Sequence, residues 1–160
     1  MRALAIAVVL LLAQESHAAQ IFRLEELTDT KKQIKPPLVV SALVRKKEKK
    51  ELDYCQKDKH YTAKEMEDFF GAVLLNLNDD AKVDYLLFPK RICLNMFGAH
   101  AIPYWIVLSS AKGYRLIRAG TTDAVKVLDS KTNGTRDIVE IYGQEETKYV
   151  FDGKKYKMVE

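Results

Sequence analysis

The sequence predicts an α+β fold in which one amphipathic helix packs on an antiparallel β-sheet. Three observations carry this expectation. A capping-box pair, Thr62 and Glu65, precedes apolar residues recurring at three- and four-residue steps. From Val83 onward, short β-patterned runs alternate with turn signals. Near the C-terminus, Asp152-Gly153 separates two such runs, a strong hairpin signal because both residues tolerate positive φ.

The chain begins with a different kind of segment. Met1-Arg2 is a short basic start, residues 3–13 are uninterruptedly apolar, and Ser16-His17-Ala18 puts small residues where a leader peptidase reads. Residues 1–18 therefore read as a secretory signal cut after Ala18. The run falls short of the about 20 apolar residues a spanning anchor needs. No later segment is long and apolar enough to cross a membrane, so no membrane span is expected in the mature chain. The mature protein is then residues 19–160, periplasmic or secreted, with a net charge unchanged at +4, since the leader removes one base and one acid.

Residues 19–60 read as an N-terminal segment with one candidate strand. Lys35-Pro36-Pro37 is a breaker. Residues 38–44 are β-rich and form that strand, and 45–59 are charged and irregular. Within them Arg45-Lys46-Lys47-Glu48-Lys49-Lys50 could meet an anionic partner, although a solvated polar run is the ordinary reading. No aromatics interleave, so a nucleic-acid platform is not supported.

Residues 61–160 form the α+β domain. Its helix starts at Thr62 and uses Met66, Phe69, Phe70, Val73, Leu74 and Leu77 as its apolar face. Strands follow at 84–89, 103–109, 114–118, 125–128, 137–142, 147–151 and 154–159. Ser110-Ala111-Lys112-Gly113 turns the second into the third. In the last hairpin Val150, Tyr156 and Met158 are expected on one face and Lys148, Lys155 and Lys157 on the other.

The mature chain has two cysteines, Cys55 and Cys93. Outside the cytosol an even count suggests one disulfide, closing a loop of about 38 residues and worth roughly 3 to 4 kcal/mol. Two separate buried thiols are the alternative. No Cys-x-x-Cys points to redox chemistry or zinc.

Two segments, 76–88 and 129–141, look alike at an offset of 53 residues. Both carry side-chain oxygens at the first and fifth positions, an Asp at the ninth, and then a strand. Asn76, Asn78, Asp80 and Asp84 are the first copy's candidate ligands for Ca²⁺, the only cofactor the sequence brings forward, because alternate oxygens in a tight loop converge on a hard cation. The other reading is that these side chains cap their own backbone amides, with Asp84 and Asp137 tying strand starts to the preceding loops. The pattern resembles the calcium loops of FG-GAP and VCBS repeats over about a dozen residues per copy. In the second copy Lys131 replaces an oxygen ligand, so that copy is not expected to hold a cation. The chain is too short for a propeller.

The C-terminal half also resembles small exported bacterial proteins of unassigned activity. The shared features are Cys93, the Gly98 loop, the Trp105 strand, Gly113-Tyr114, Thr132-Asn133-Gly134, Asp137 and the 151–156 hairpin. Those proteins often carry a second Cys within the loop. Here it is missing, which implies that Cys93 is free to pair with Cys55. The resemblance implies fold and export, and carries no catalytic residues.

Catalytic signatures are sparse. Of His17, His60 and His100, only His100 is a catalytic candidate, in a loop between strands. There is no Gly-x-Ser-x-Gly elbow, no His-Glu-x-x-His and no phosphate-cradling loop. The loop 94–103 instead offers Met96, Phe97, His100 and Tyr104 as a binding surface, preorganised if Cys93 is bridged. The expected function is an exported non-catalytic binding protein whose partner is another protein, an inhibitor or immunity-type partner of an envelope enzyme. A small envelope hydrolase using His100 and a calcium-stabilised structural module are the alternatives.

Overall fold

The computed structural model describes residues 19–29, 33–91, 93 and 101–159. The expected leader, and Met96, Phe97 and His100, lie outside the described residues. The elements run β1 (Gln20–Arg23), α1 (Leu24–Asp29), α2 (Leu38–Lys47), α3 (Lys49–Asp58), α4 (Ala63–Glu67), β2 (Phe70–Leu75), β3 (Asp84–Pro89), β4 (Ile102–Ser110), β5 (Gly113–Thr122), β6 (Ala124–Thr132), β7 (Thr135–Tyr142), β8 (Glu145–Phe151) and β9 (Tyr156–Met158). The α+β class holds, but not as one helix on one sheet. Two antiparallel sheets are present, ordered β2-β3-β4-β5 and β1-β6-β7-β8-β9.

The four-stranded sheet is the middle of three layers. Along β3, Leu86 and Phe88 enter the core shared with the five-stranded sheet, while Tyr85 and Leu87 enter the core under the helices. Along β4, Tyr104, Ile106 and Leu108 face the first core, Trp105 and Val107 the second. The second core is completed by Val40 and Val44 of α2, Leu52 and Cys55 of α3, and Met66 of α4. Each fully buried aliphatic or aromatic side chain there stabilises the fold by roughly 1.5–3 kcal/mol.

This double burial explains the largest departure from the sequence expectation. The capping box at Thr62 and Glu65 forms, with Thr62 Oγ1 accepting from Glu65 N and Glu65 Oε2 accepting from Thr62 N at 2.9 Å. The helix it starts ends at Glu67, however, and Phe70–Leu75 is a strand paired with β3. A strand covered on both faces shows no alternation, so its apolar run matches helical steps by coincidence. Gly71, the second residue of β2, is required there because a Cβ would lie 2.5 Å from Gln33 Oε1 and 2.7 Å from Phe88 Cε2.

The N-terminal expectations need correction too. The β-rich stretch 38–44 is helical, as the first part of α2, and 45–59 is ordered into the end of α2 and α3. Val40, Ser41 and Val44 form one buried stripe, so packing overrides the strand preference of the Leu-Val-Val run. The strand in this region is β1, which pairs with β6 through Gln20↔Val127 to Arg23↔Ala124.

The C-terminal strands follow expectation more closely. β4 and β5 meet at Ser110↔Gly113. Asp152 N donates to Lys155 O at 3.0 Å, while Asp152 Oδ1 accepts from Lys154 N and Lys155 N, closing the β8–β9 turn. Val150 is an exception to the expected faces. It pairs with Lys157 and shares the lysine side, because Tyr149 and Phe151 take the other face, opposite Met158 and Tyr156.

Candidate functional site

The two look-alike turns come together in space. Asn76 Oδ1 accepts from Asp79 N at 2.9 Å, Asn78 Oδ1 from Asp80 N at 3.4 Å, and Asp80 Oδ1 from Lys82 N at 2.8 Å. Asp84, fully buried, accepts from Leu77 N, Ser109 N and Ser109 Oγ, each at 2.8 Å. All four candidate calcium ligands are thus engaged with backbone amides of their own turn or, for Asp84, also of β4. Among the described residues there is no group of three or more His, Cys, Asp or Glu placed to hold a metal ion.

The second turn docks on the first. Arg136 N donates to Leu77 O at 2.7 Å. The Arg136 guanidinium reaches Asp129 at 2.8 Å and Asp79 at 3.2 Å, and the Lys131 ammonium donates to Asp79. Lys131, the residue that breaks the cation pattern in its own turn, neutralises an acid of the other one. The hydrogen bond from Lys131 and the neighbouring Arg136 hold Asp79 below the usual carboxylate range. Between the turns and the start of β1 lies an open cleft of about 840 Å³, lined by Asn76, Asp79, Asp129, Arg136, Val127 and the first described residues Ala19 and Gln20.

Asp84 and Asp137 hold equivalent positions but titrate in opposite directions. Burial pushes Asp84 up, and its hydrogen bonds only partly offset that. Burial acts the same way on Asp137, but hydrogen bonds from Ser130, Thr132 and Lys148 outweigh it and bring the group down. Lys148 Nζ lies 3.1 Å from Asp137 Oδ2, and among the described residues Asp84 has no such cation.

A second polar cluster lies between the sheets, and sequence reasoning missed it. Tyr104, expected as a contact residue, is fully buried. Its hydroxyl donates to Glu140 Oε1 and accepts from Arg118 Nε at 3.2 Å. Arg118 Nε also donates to Glu140 at 2.7 Å, and its guanidinium stacks 3.9 Å from the Tyr149 ring centroid. Burial, then the Glu140 charge, raises the Tyr104 phenol. For Arg118 burial acts downward, but the partnership with Tyr104 and Glu140 prevails and its pKa is raised. The four residues come from β4, β5, β7 and β8, and no sequence spacing links them.

Cys55 of α3 and Cys93 form a disulfide with Cα atoms 5.5 Å apart, both fully buried. The bridge is the expected pairing, borne out over the alternative of two separate buried thiols. The bridge ties the start of the β3–β4 connection to the helical layer. On the far side of 94–100, Ala101 is buried and Ile102 pairs with Thr122. The segment carrying Met96, Phe97 and His100 is thus flanked by two fixed points. Comparisons with protein-family models, with curated proteins and with solved structures returned no match to this chain.

Proposed function

We propose that this chain is an exported, non-catalytic binding protein that recognises another protein, as an inhibitor or immunity-type partner of an envelope enzyme. The observation that carries the reading is the Cys55–Cys93 disulfide, which fits an oxidising compartment and anchors one end of the 93–103 segment to a helix of the core. A segment fixed at both ends loses less entropy on binding, so Met96 and Phe97 can act as apolar anchors. In this reading Tyr104, buried and bonded to Glu140 and Arg118, does not touch the partner.

The test is affinity capture from an envelope extract with the exported chain and its Met96→Asp/Phe97→Asp variant. The expected outcome is one enriched partner with the parent, lost with the variant, at unchanged melting temperature. Undiminished capture by the variant overturns the assignment of the contact.

A further inference from the structure

We infer that the outer face of the α2–α3 layer is a docking surface for an anionic lipid bilayer. Residues 35–59 hold eight basic and four acidic side chains, so this layer alone accounts for the whole net charge of +4. The rest of the chain is balanced. The charge is also free to act. Among the described residues, Lys46, Lys47, Lys50 and Lys57 are exposed and have no ion-pair partner, whereas Arg45 is turned inward to the Met66 and Glu67 carbonyls.

Apolar side chains stand on the same surface. Leu38, Ala42 and Lys46 follow at four-residue steps, with Val39 beside them, opposite the buried Val40 and Val44. Leu38 is 78% exposed and Val39 56%, more than any other leucine, isoleucine or valine among the described residues. Ile34, just before the helix, is 40% exposed. On α3 the exposed stripe is Lys50, Tyr54 and Lys57, opposite the buried Leu52 and Cys55. Both helices press their buried sides into the same core over the four-stranded sheet. Their exposed faces therefore look outward together.

The partner follows from this chemistry. Flexible lysines complement a surface of anionic headgroups, and leucine, valine and tyrosine side chains suit the headgroup–acyl boundary beneath it. The membrane would be met at its surface: among the described residues no helix is long and apolar enough to cross one. This inference is independent of the protein partner proposed above.

Sedimentation with vesicles tests it. The chain should pellet with phosphatidylcholine vesicles containing phosphatidylglycerol, stay in solution with pure phosphatidylcholine, and be released by high salt. Lys46→Glu/Lys50→Glu should weaken the apparent affinity by more than about tenfold. Leu38→Ser/Val39→Ser should weaken it at every salt concentration. All four positions are exposed, and fluorescence of the single Trp105 checks that each variant is folded. Absence of binding to anionic vesicles, equal binding to neutral ones, or indifference to charge reversal overturns the inference. So does preferential binding of duplex DNA or polyglutamate by the same lysines, or a dimer that Leu38→Ser/Val39→Ser dissolves.

Discussion

Asp79 of the first acidic turn accepts a hydrogen bond from Lys131 of the second, so two segments that resemble each other in sequence are clamped together in space. The partner is the residue that disqualifies the second turn as a cation loop. The turns use their polar side chains on themselves and on each other. Asp79→Asn or Lys131→Met should lower the melting temperature slightly, and the double variant should lower it no further than the larger single effect. Both side chains are partly exposed, so the coupling should vanish at high salt. Additive effects at low salt would contradict the clamp.

Asp84 and Asp137 should give opposite pH signatures. The folded-state pKa of Asp84 is raised, so the fold binds its proton more tightly than the unfolded chain, and its contribution becomes less favourable as pH rises through the raised pKa. That of Asp137 is lowered, so its contribution is present above the unfolded-state carboxylate pKa and is lost as pH falls through the lower value. Carbonyl chemical shifts across an acid titration would place the two midpoints on either side of the free Asp value of about 3.9. Midpoints in the reverse order would refute this.

Asp84→Asn is the sharper stability test. An amide nitrogen must then face either Leu77 N–H or the Ser109 donors, leaving buried donors without an acceptor. A loss of about 1–3 kcal/mol is expected, read from the urea midpoint. A neutral result would mean that the turn rearranges freely.

Removing the bridge should be costly. Cys55→Ser/Cys93→Ser is expected to destabilise the chain by roughly 3–4 kcal/mol, since the unfolded loop gains its freedom back. Denaturant unfolding with and without reductant reports it independently. If the two midpoints coincide, the disulfide contributes nothing to stability.

Gly71→Ala should destabilise by about 1–3 kcal/mol, because the added methyl overlaps the Phe88 ring in a strand packed on both sides. Gly113→Ala provides a contrast, with open space at the Cβ but a φ of +110°. Its penalty arises from backbone strain, and replacement by Asn should ease it, whereas Gly71→Asn should be worse than Gly71→Ala. Equal rank at the two sites would remove the crowding argument.

What could be read from the chain is what depends on neighbours in sequence. The Thr62–Glu65 box, the Ser110–Gly113 and Asp152-Gly153 turns, and the strand at 84–89 are set by local backbone chemistry, and they form where expected. The capping role of Asn76, Asn78 and Asp80 is local in the same sense. Phe70–Leu75 was misleading because its pattern is decided by what covers it. Facing helices on one side and a second sheet on the other, all its positions but Leu74 are buried, so the period disappears. Residues 38–44 mislead for the same reason in reverse, since a β-rich run becomes a helix when Val40 and Val44 find a core to enter.

The sequence by itself determined the antiparallel α+β character, the hairpins and the even cysteine pair. Only the tertiary structure decided that there are two sheets, that Tyr104 is buried beside Arg118 and Glu140, and that the two acidic turns interlock. The physical reason is range: turns and caps are short-range hydrogen-bond choices, whereas layer order and buried ion pairs depend on surfaces far apart along the chain, which meet only when the apolar faces are driven together.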